Sequence, residues 1–373
     1  MDSGPWSLCT LRLLPETGLT AECGKEAVMR RWSAALAATV TLIGLALLLF
    51  GCGDDDDEGT VLATTEAGPI PEQAACPEGA EPDTPGPADQ QRPQGSGAVD
   101  AAAFDSQSGR IVVLIETETW TFDVCTNTWE LMSPAGAPLS DVVAGLVYDV
   151  DSDRTIAFGP DGEASVYDLE ADSWTNQSVS GEVWGTPGVV YDPVSGLVVG
   201  SGLRGDISAY GIGADAWQEV PTGEALQTEV QVPALMSHHP GLDRLVVFGD
   251  PMSLVDPRTG EVTLVDPEDQ EPTNTSAPEL YTPGFWLLVF ASDSEGRGIV
   301  YDAGLRRYHR YDPTVPAWEV LSSRDPVPVQ TMAFDRLNER LVVGGGDAAI
   351  DEMWALDSDT GEWITLVPSS PVG

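Results

Sequence analysis

Residues 333–363 carry the pattern that decides the fold. They read Ala333-Phe334-Asp335, a polar turn, Arg340-Leu341-Val342-Val343, the run Gly344-Gly345-Gly346, then Trp354-Ala355-Leu356-Asp357 and, past Asp359-Thr360-Gly361, Trp363. Short apolar and β-branched runs punctuated by Gly and Asp are strand and turn signals, and nothing in them repeats at helical spacing. The second half of the unit recurs upstream as Trp120-Thr121-Phe122-Asp123 to Trp129, Ser165-Val166-Tyr167-Asp168 to Trp174, and Ser208-Ala209-Tyr210-Gly211 to Trp217. It recurs again as Ser253-Leu254-Val255-Asp256 to Val262 and His309-Arg310-Tyr311-Asp312 to Trp318. The Asp position precedes the Trp position by six residues in all six copies, and the Asp positions are spaced 45, 43, 45, 56 and 45 residues apart.

The first half recurs as well. Ala103-Phe104-Asp105 leads to Arg110, Val147-Tyr148-Asp149 to Arg154, and Val190-Tyr191-Asp192 to Leu197. In the fourth copy His239 stands where Asp is expected, and in the fifth Ser292 precedes Arg297. Four short strands per unit, with about 45 residues per unit, describe a propeller blade. The predicted fold is therefore all-β, a β-propeller of six four-stranded blades over residues 98–369. A seventh blade would need a contribution from the N-terminal segment or from an eroded stretch. A lone blade cannot bury both faces, so the recurring Trp is expected at the contacts between blades. The recurring Asp is expected to hydrogen-bond its own turn.

The glycine run closing a second strand, the aromatic ending the third and the Trp in the fourth resemble the kelch family, over residues 99–367. Phe158-Gly159, Gly200-Ser201-Gly202 and Phe248-Gly249 keep part of the glycine signature. The resemblance implies that the loops joining strands two and three, and those joining successive blades, gather on one face around a central channel and form the default ligand site. The interblade connection after the fourth copy is the longest, running through Asp266 to Tyr281 and Trp286. Extra loop length on a rigid scaffold is where binding tends to reside. The ligand-binding candidates on that face are Tyr281, Trp286, Trp184, Arg204 and Asp206. Arg306 and Arg307, in the arginine cluster that includes Arg310, would either hold an anion or carboxylated sugar, or neutralise nearby acids.

The chain has 373 residues, 60 Asp plus Glu, 17 Lys plus Arg and a formal charge of −43. Residues 1–51 are neutral, so the whole excess lies beyond them. Such a balance excludes a phosphate-reading basic surface, and no nucleic-acid partner is expected. Met29-Arg30-Arg31 precedes an uncharged apolar run from Trp32 to Phe50 and then Gly51-Cys52-Gly53, the shape of an export signal. Leu49-Phe50-Gly51-Cys52 resembles the lipobox of bacterial lipoproteins, which implies cleavage before Cys52, lipidation of its thiol and a membrane partner through that lipid. An uncleaved membrane anchor is the alternative reading of the same segment. Residues 1–28 are expected to be an upstream extension or untranslated, 29–51 the signal or anchor. Residues 52–97, acidic and Pro-rich, are expected to be a disordered tether.

Export permits disulfides, and Cys76 with Cys125 is the expected bridge, strapping the tether to the first blade. No cofactor or metal is called for by the motifs. The three histidines, His238, His239 and His309, do not supply a copper-oxidase ligand set, and an arginine triad with repeated Asp boxes, as in sialidases, is missing. Asp149-Val150-Asp151-Ser152-Asp153 opens like a calcium loop, but Arg154 stands where such loops turn on Gly. The expected function is an envelope-anchored binding or interaction module for a glycan, envelope polymer or protein. A carboxylate-based secreted enzyme and a structural scaffold are the alternatives.

Overall fold

The computed structural model describes residues 11–12, 20–21, 73–93 and 101–368 except 140–142, 161, 181–187, 203–205, 223–234, 249–251, 266–288, 303–305, 316, 323–328, 346–349 and 351. The chain divides into two units, Met1–Gly59 and Thr60–Gly373. In the first, Leu11–Arg12 pairs antiparallel with Thr20–Ala21. Residues 29–52, expected to be an export segment ending in a lipobox-like Cys52, lie outside the described residues, among which no helix is long and apolar enough to cross a membrane.

The second unit is a propeller of six four-stranded antiparallel blades. Blade 1 comprises Ala101–Asp105, Arg110–Ile115, Glu118–Asp123 and Thr128–Leu131. Blade 2 comprises Gly145–Asp149, Arg154–Phe158, Ala164–Asp168 and Ser173–Asn176; blade 3, Gly188–Asp192, Leu197–Ser201, Ile207–Gly211 and Ala216–Glu219. Blade 4 comprises Leu235–His239, Arg244–Phe248, Ser253–Val255 and Val262–Leu264; blade 5, Val289–Ser292, Gly298–Asp302, Arg307–Asp312 and Ala317–Ser322. Blade 6 comprises Val329–Asp335, Arg340–Gly345, Glu352–Asp357 and Trp363–Val367. Each first strand touches the next around the ring, and that of blade 6 touches that of blade 1.

The second strands are continuous apolar runs because a neighbouring blade covers each face. Side chains alternate across a strand, so Ile111 and Val113 join a core shared with blade 6, and Val112 and Leu114 one shared with blade 2. Six such cores, one at each junction, replace a single central core. The fourth-strand tryptophans lie in or against them and reach backward. Trp174 Nε1 donates to Thr119 Oγ1 of blade 1 at 2.9 Å, Trp217 Nε1 to the Gly162 carbonyl of blade 2 at 2.9 Å, and Trp363 Nε1 to Ser322 Oγ of blade 5 at 3.1 Å.

Backbone bridges reinforce two junctions. Ala135, just past blade 1, donates to the Asp172 carbonyl and accepts from Trp174 N at 2.9 and 2.8 Å; Ser180, just past blade 2, does the same with Asp215 and Trp217. The equivalent place on blade 1 is Asn127 and Trp129, where the ring closes. There Gln90 supplies the bridge with its side-chain amide, Nε2 donating to the Asn127 carbonyl at 3.1 Å and Oε1 accepting from Trp129 N at 2.7 Å.

Gln90 belongs to residues 73–93, which were expected to be part of a disordered tether from 52 to 97. That expectation is corrected for this stretch, which lies along blades 1 and 6. Asn127 Nδ2 donates to the Pro82 and Thr84 carbonyls, Gly86 N to the Leu366 carbonyl, and Arg92 to the carbonyls of Pro368 and Ala88. Cys76 and Cys125 are joined by a disulfide, with Cα atoms 5.4 Å apart.

Candidate functional site

The first strands enclose a channel of about 430 Å³. Their alternation gives it two levels. Ala102, Leu146, Val189, Met236, Phe290 and Met332 make an apolar ring, and two residues further along Phe104, Tyr148, Tyr191, His238, Ser292 and Phe334 make a mixed one. The mixed ring lies beside the turns between first and second strands, and Ser106, Pro193, Pro240, Ser294 and Arg336 of those turns also line the channel.

The turns are built on acids. Asp105 Oδ1 accepts from Gln107 N and Ser108 N, and Asp335 Oδ1 from Leu337 N and Asn338 N. Asp192 accepts from Val194 N, Ser195 N and Ser195 Oγ. In blade 4 the replacement His239 does the same work, its Nδ1 accepting from Leu242 N at 3.1 Å. In blade 5 Asp293, one residue after Ser292, accepts from Glu295 N and Arg297 N.

In blades 2, 3 and 4 the next-to-last residue of the first strand reaches toward the turn acid of the preceding blade. Tyr148 faces Asp105 of blade 1 and donates to Asp153 of its own turn at 2.8 Å. Tyr191 lies beside Asp149 and Asp151 of blade 2. Burial first, and these acids second, hold both phenols well above their ordinary pKa, so both keep their proton. Burial likewise raises the Asp149 carboxyl, against the bonds it accepts from Ser152 and Asp151. In blade 4 this place is His238, with Nε2 3.3 Å from Asp192 Oδ1 of blade 3. Burial lowers its pKa against the pull of Asp192 and Asp243, which favours the neutral imidazole. Arg336 is crowded by protein yet open to the channel, with Asp293 and Glu339 countering its charge.

Ser195, Asp192 and His238 contain the groups of a nucleophilic triad wired in another order. Ser195 Oγ donates to Asp192 at 2.6 Å, so the acid stands between hydroxyl and imidazole, and the imidazole has no contact through which to take the serine proton. The site offers donors, a neutral imidazole and apolar rings, a constitution suited to binding.

Of the residues singled out from sequence, Trp184, Arg204, Tyr281 and Trp286 lie outside the described residues. Asp206 is exposed just before the third strand of blade 3. Arg306 is exposed at φ 54° and Arg307 begins the third strand of blade 5, paired in register with Asp302. These positions sit at the strand ends away from the mixed ring, on two blades that are not adjacent. Arg310 of the same cluster is paired with Glu319 at 3.0 Å, which is the neutralising role. His238 and His239 are adjacent on one strand and point apart, and it is the alignment of His238 with Phe104, Tyr148 and Tyr191 that marks it as a channel residue.

No family model matches this chain, and no curated protein matches it in sequence. Among solved structures it is similar to an auxiliary nutrient binding protein from Bacteroides thetaiotaomicron, at 12% identity over 67% of each chain with a TM-score of 0.46. A protein of unknown function from the same organism is 9% identical over 72% of each chain, with a TM-score of 0.49. Virginiamycin B lyase from Staphylococcus aureus is 9% identical over 74% of this chain and 88% of its own, with a TM-score of 0.49.

Proposed function

We propose that the chain is an exported, lipid-anchored propeller of kelch-like type that acts as a binding module, taking a small ligand or the end of a glycan into its central channel. The observation that carries this reading is the two-level channel. Apolar and aromatic side chains form one wall layer, and two phenols, an imidazole, a hydroxyl and a guanidinium are available beside it. Ligand sites combine a largely apolar lining with a few fixed polar groups, and about 430 Å³ falls in the range they occupy. The flat apolar faces and hydroxyl edges of a sugar ring match that division. The lipobox-like Cys52 supports the anchor, and the acidity of the exported part disfavours polyanionic ligands.

The test is a screen of the full-length chain against glycans and envelope polymers, repeated with Ala102→Phe, which fills the apolar ring, and with the 266–283 loop shortened. Binding that is lost in Ala102→Phe at unchanged melting temperature supports the channel. Binding lost only on shortening the loop moves the site from the channel to the 266–283 connection, and binding that ignores both changes rejects the reading. Anchoring is read separately, as incorporation of labelled lipid that disappears in Cys52→Ala.

A further inference from the structure

At the mouth of the channel, blade 4 departs from blade 2 in one chemical respect. In blade 2 a phenol, Tyr148, stands between Asp105 of the blade before and Asp153 of its own turn, and completes a 2.8 Å hydrogen bond to the latter. In blade 4 the corresponding three are His238, Asp192 of the blade before and Asp243 of its own turn, with one ligand atom from each lying within 4.8 Å of the others. His238 Nε2 is enclosed by protein and makes no hydrogen bond, although its side chain is only 9% exposed and Asp192 Oδ1 is 3.3 Å away. Buried polar nitrogens are ordinarily satisfied, so this one asks for a partner.

The spacing suggests which partner. Two ligands at about 2.0–2.1 Å from a tetrahedral ion stand about 3.3–3.4 Å apart, the separation of His238 Nε2 and Asp192 Oδ1. Asp192 is held in place by Val194 N and by Ser195 N and Oγ, and Asp243 by Arg258 Nη2 at 2.9 Å, so two of the three donors have fixed supports. The Asp243 side chain is 43% exposed, so an ion can reach the cluster from solvent. One imidazole with two carboxylates suits zinc or a neighbouring transition metal better than calcium or magnesium, which favour all-oxygen sets.

We propose that Asp192, His238 and Asp243 form a site for a divalent transition-metal ion, zinc in type, at the channel mouth, with its remaining position open to the channel. The inference stands independently of what the channel binds.

The experiment is a calorimetric zinc titration of the full-length chain, stripped with chelator and held in excess magnesium so that diffuse carboxylate binding is saturated. One equivalent binding at micromolar zinc is expected. His238→Tyr, which reproduces the blade 2 arrangement, should fold and weaken binding about tenfold or more, and Asp243→Asn should act in the same direction. Zinc binding that is undiminished in His238→Tyr, or missing from the unaltered chain, overturns the site. With three histidines in the chain, the imidazole resonance of His238 is a second readout independent of any variant: it must shift on adding zinc, and an unmoved signal also overturns the proposal.

Discussion

At the residue scale, the acids that end the strands are not equivalent, because some carry a buried partner and others only a turn. Asp335 and Arg340 are both buried and joined at 3.0 Å, and Arg340 also donates to the Pro82 and Val124 carbonyls and pairs with Asp83. Asp335→Ala should therefore leave the buried guanidinium with only the exposed Asp83 as counter-charge and cost about 3 kcal/mol by urea unfolding. Asp357 sits at an exposed turn, and its carboxyl is held below its ordinary pKa chiefly by the Thr360 N–H, with Asp359 N–H helping. A carboxylate whose folded pKa is depressed stabilises the fold above the unfolded value and loses that contribution as pH falls through the folded one. Asp357→Asn should thus lower stability modestly at neutrality, where the charge contributes, and flatten the profile below about pH 4, where the two chains converge. A midpoint displaced equally at every pH would contradict that account. The roles of these acids were legible from sequence because their spacing recurs; that His239 could replace one of them was not, since only the bond from Leu242 N reveals it.

At the scale of elements, the junctions between blades follow one design that the sequence shows only in part. The tryptophan column is visible as a repeat, but its backward bonds are not, because Thr119, Gly162 and Ser322 occupy no common position. Trp174→Phe keeps most of the buried area and removes the bond to Thr119, so a loss of about 1 kcal/mol is expected in denaturant unfolding. Residues 73–93 escaped detection for a related reason. Much of their attachment runs through backbone carbonyls, which leave no side-chain pattern, and through Gln90, whose amide stands where other junctions use a peptide group. Gln90→Glu keeps the acceptor for Trp129 N but sets a carboxylate oxygen against the Asn127 carbonyl. It should destabilise more than Gln90→Ala, itself costing about 1–2 kcal/mol, with faster amide exchange confined to blades 1 and 6. Equal effects of the two substitutions would show that the amide does not act as a bridge.

For the whole molecule, charge and closure set the stability together. The excess of acids gives −43 over 373 residues, and like charges on a compact body repel until salt screens them. Screening lengths fall from about 10 Å at 0.1 M salt to about 3 Å at 1 M, so the melting temperature should rise over that interval. The ring itself was legible because six copies of one unit admit few other arrangements; the channel chemistry was not, because it arises from residues of different blades that meet only when the ring closes. Among the described residues closure has no strand exchange, since every blade is made of four consecutive strands. It rests on the blade 6 and blade 1 core, on the Arg340 bonds and on the segment fastened by Cys76–Cys125, whose cysteines are 49 residues apart. In the chain-entropy view, opening that loop costs about 4 kcal/mol. Reduction should therefore lower the denaturation midpoint and raise amide exchange first in blades 1 and 6, while blades 3 and 4, diametrically removed from the junction, stay protected until global unfolding. Exchange that accelerates uniformly around the ring would mean that the disulfide acts only through the unfolded chain and that the segment it fastens does not hold the propeller shut.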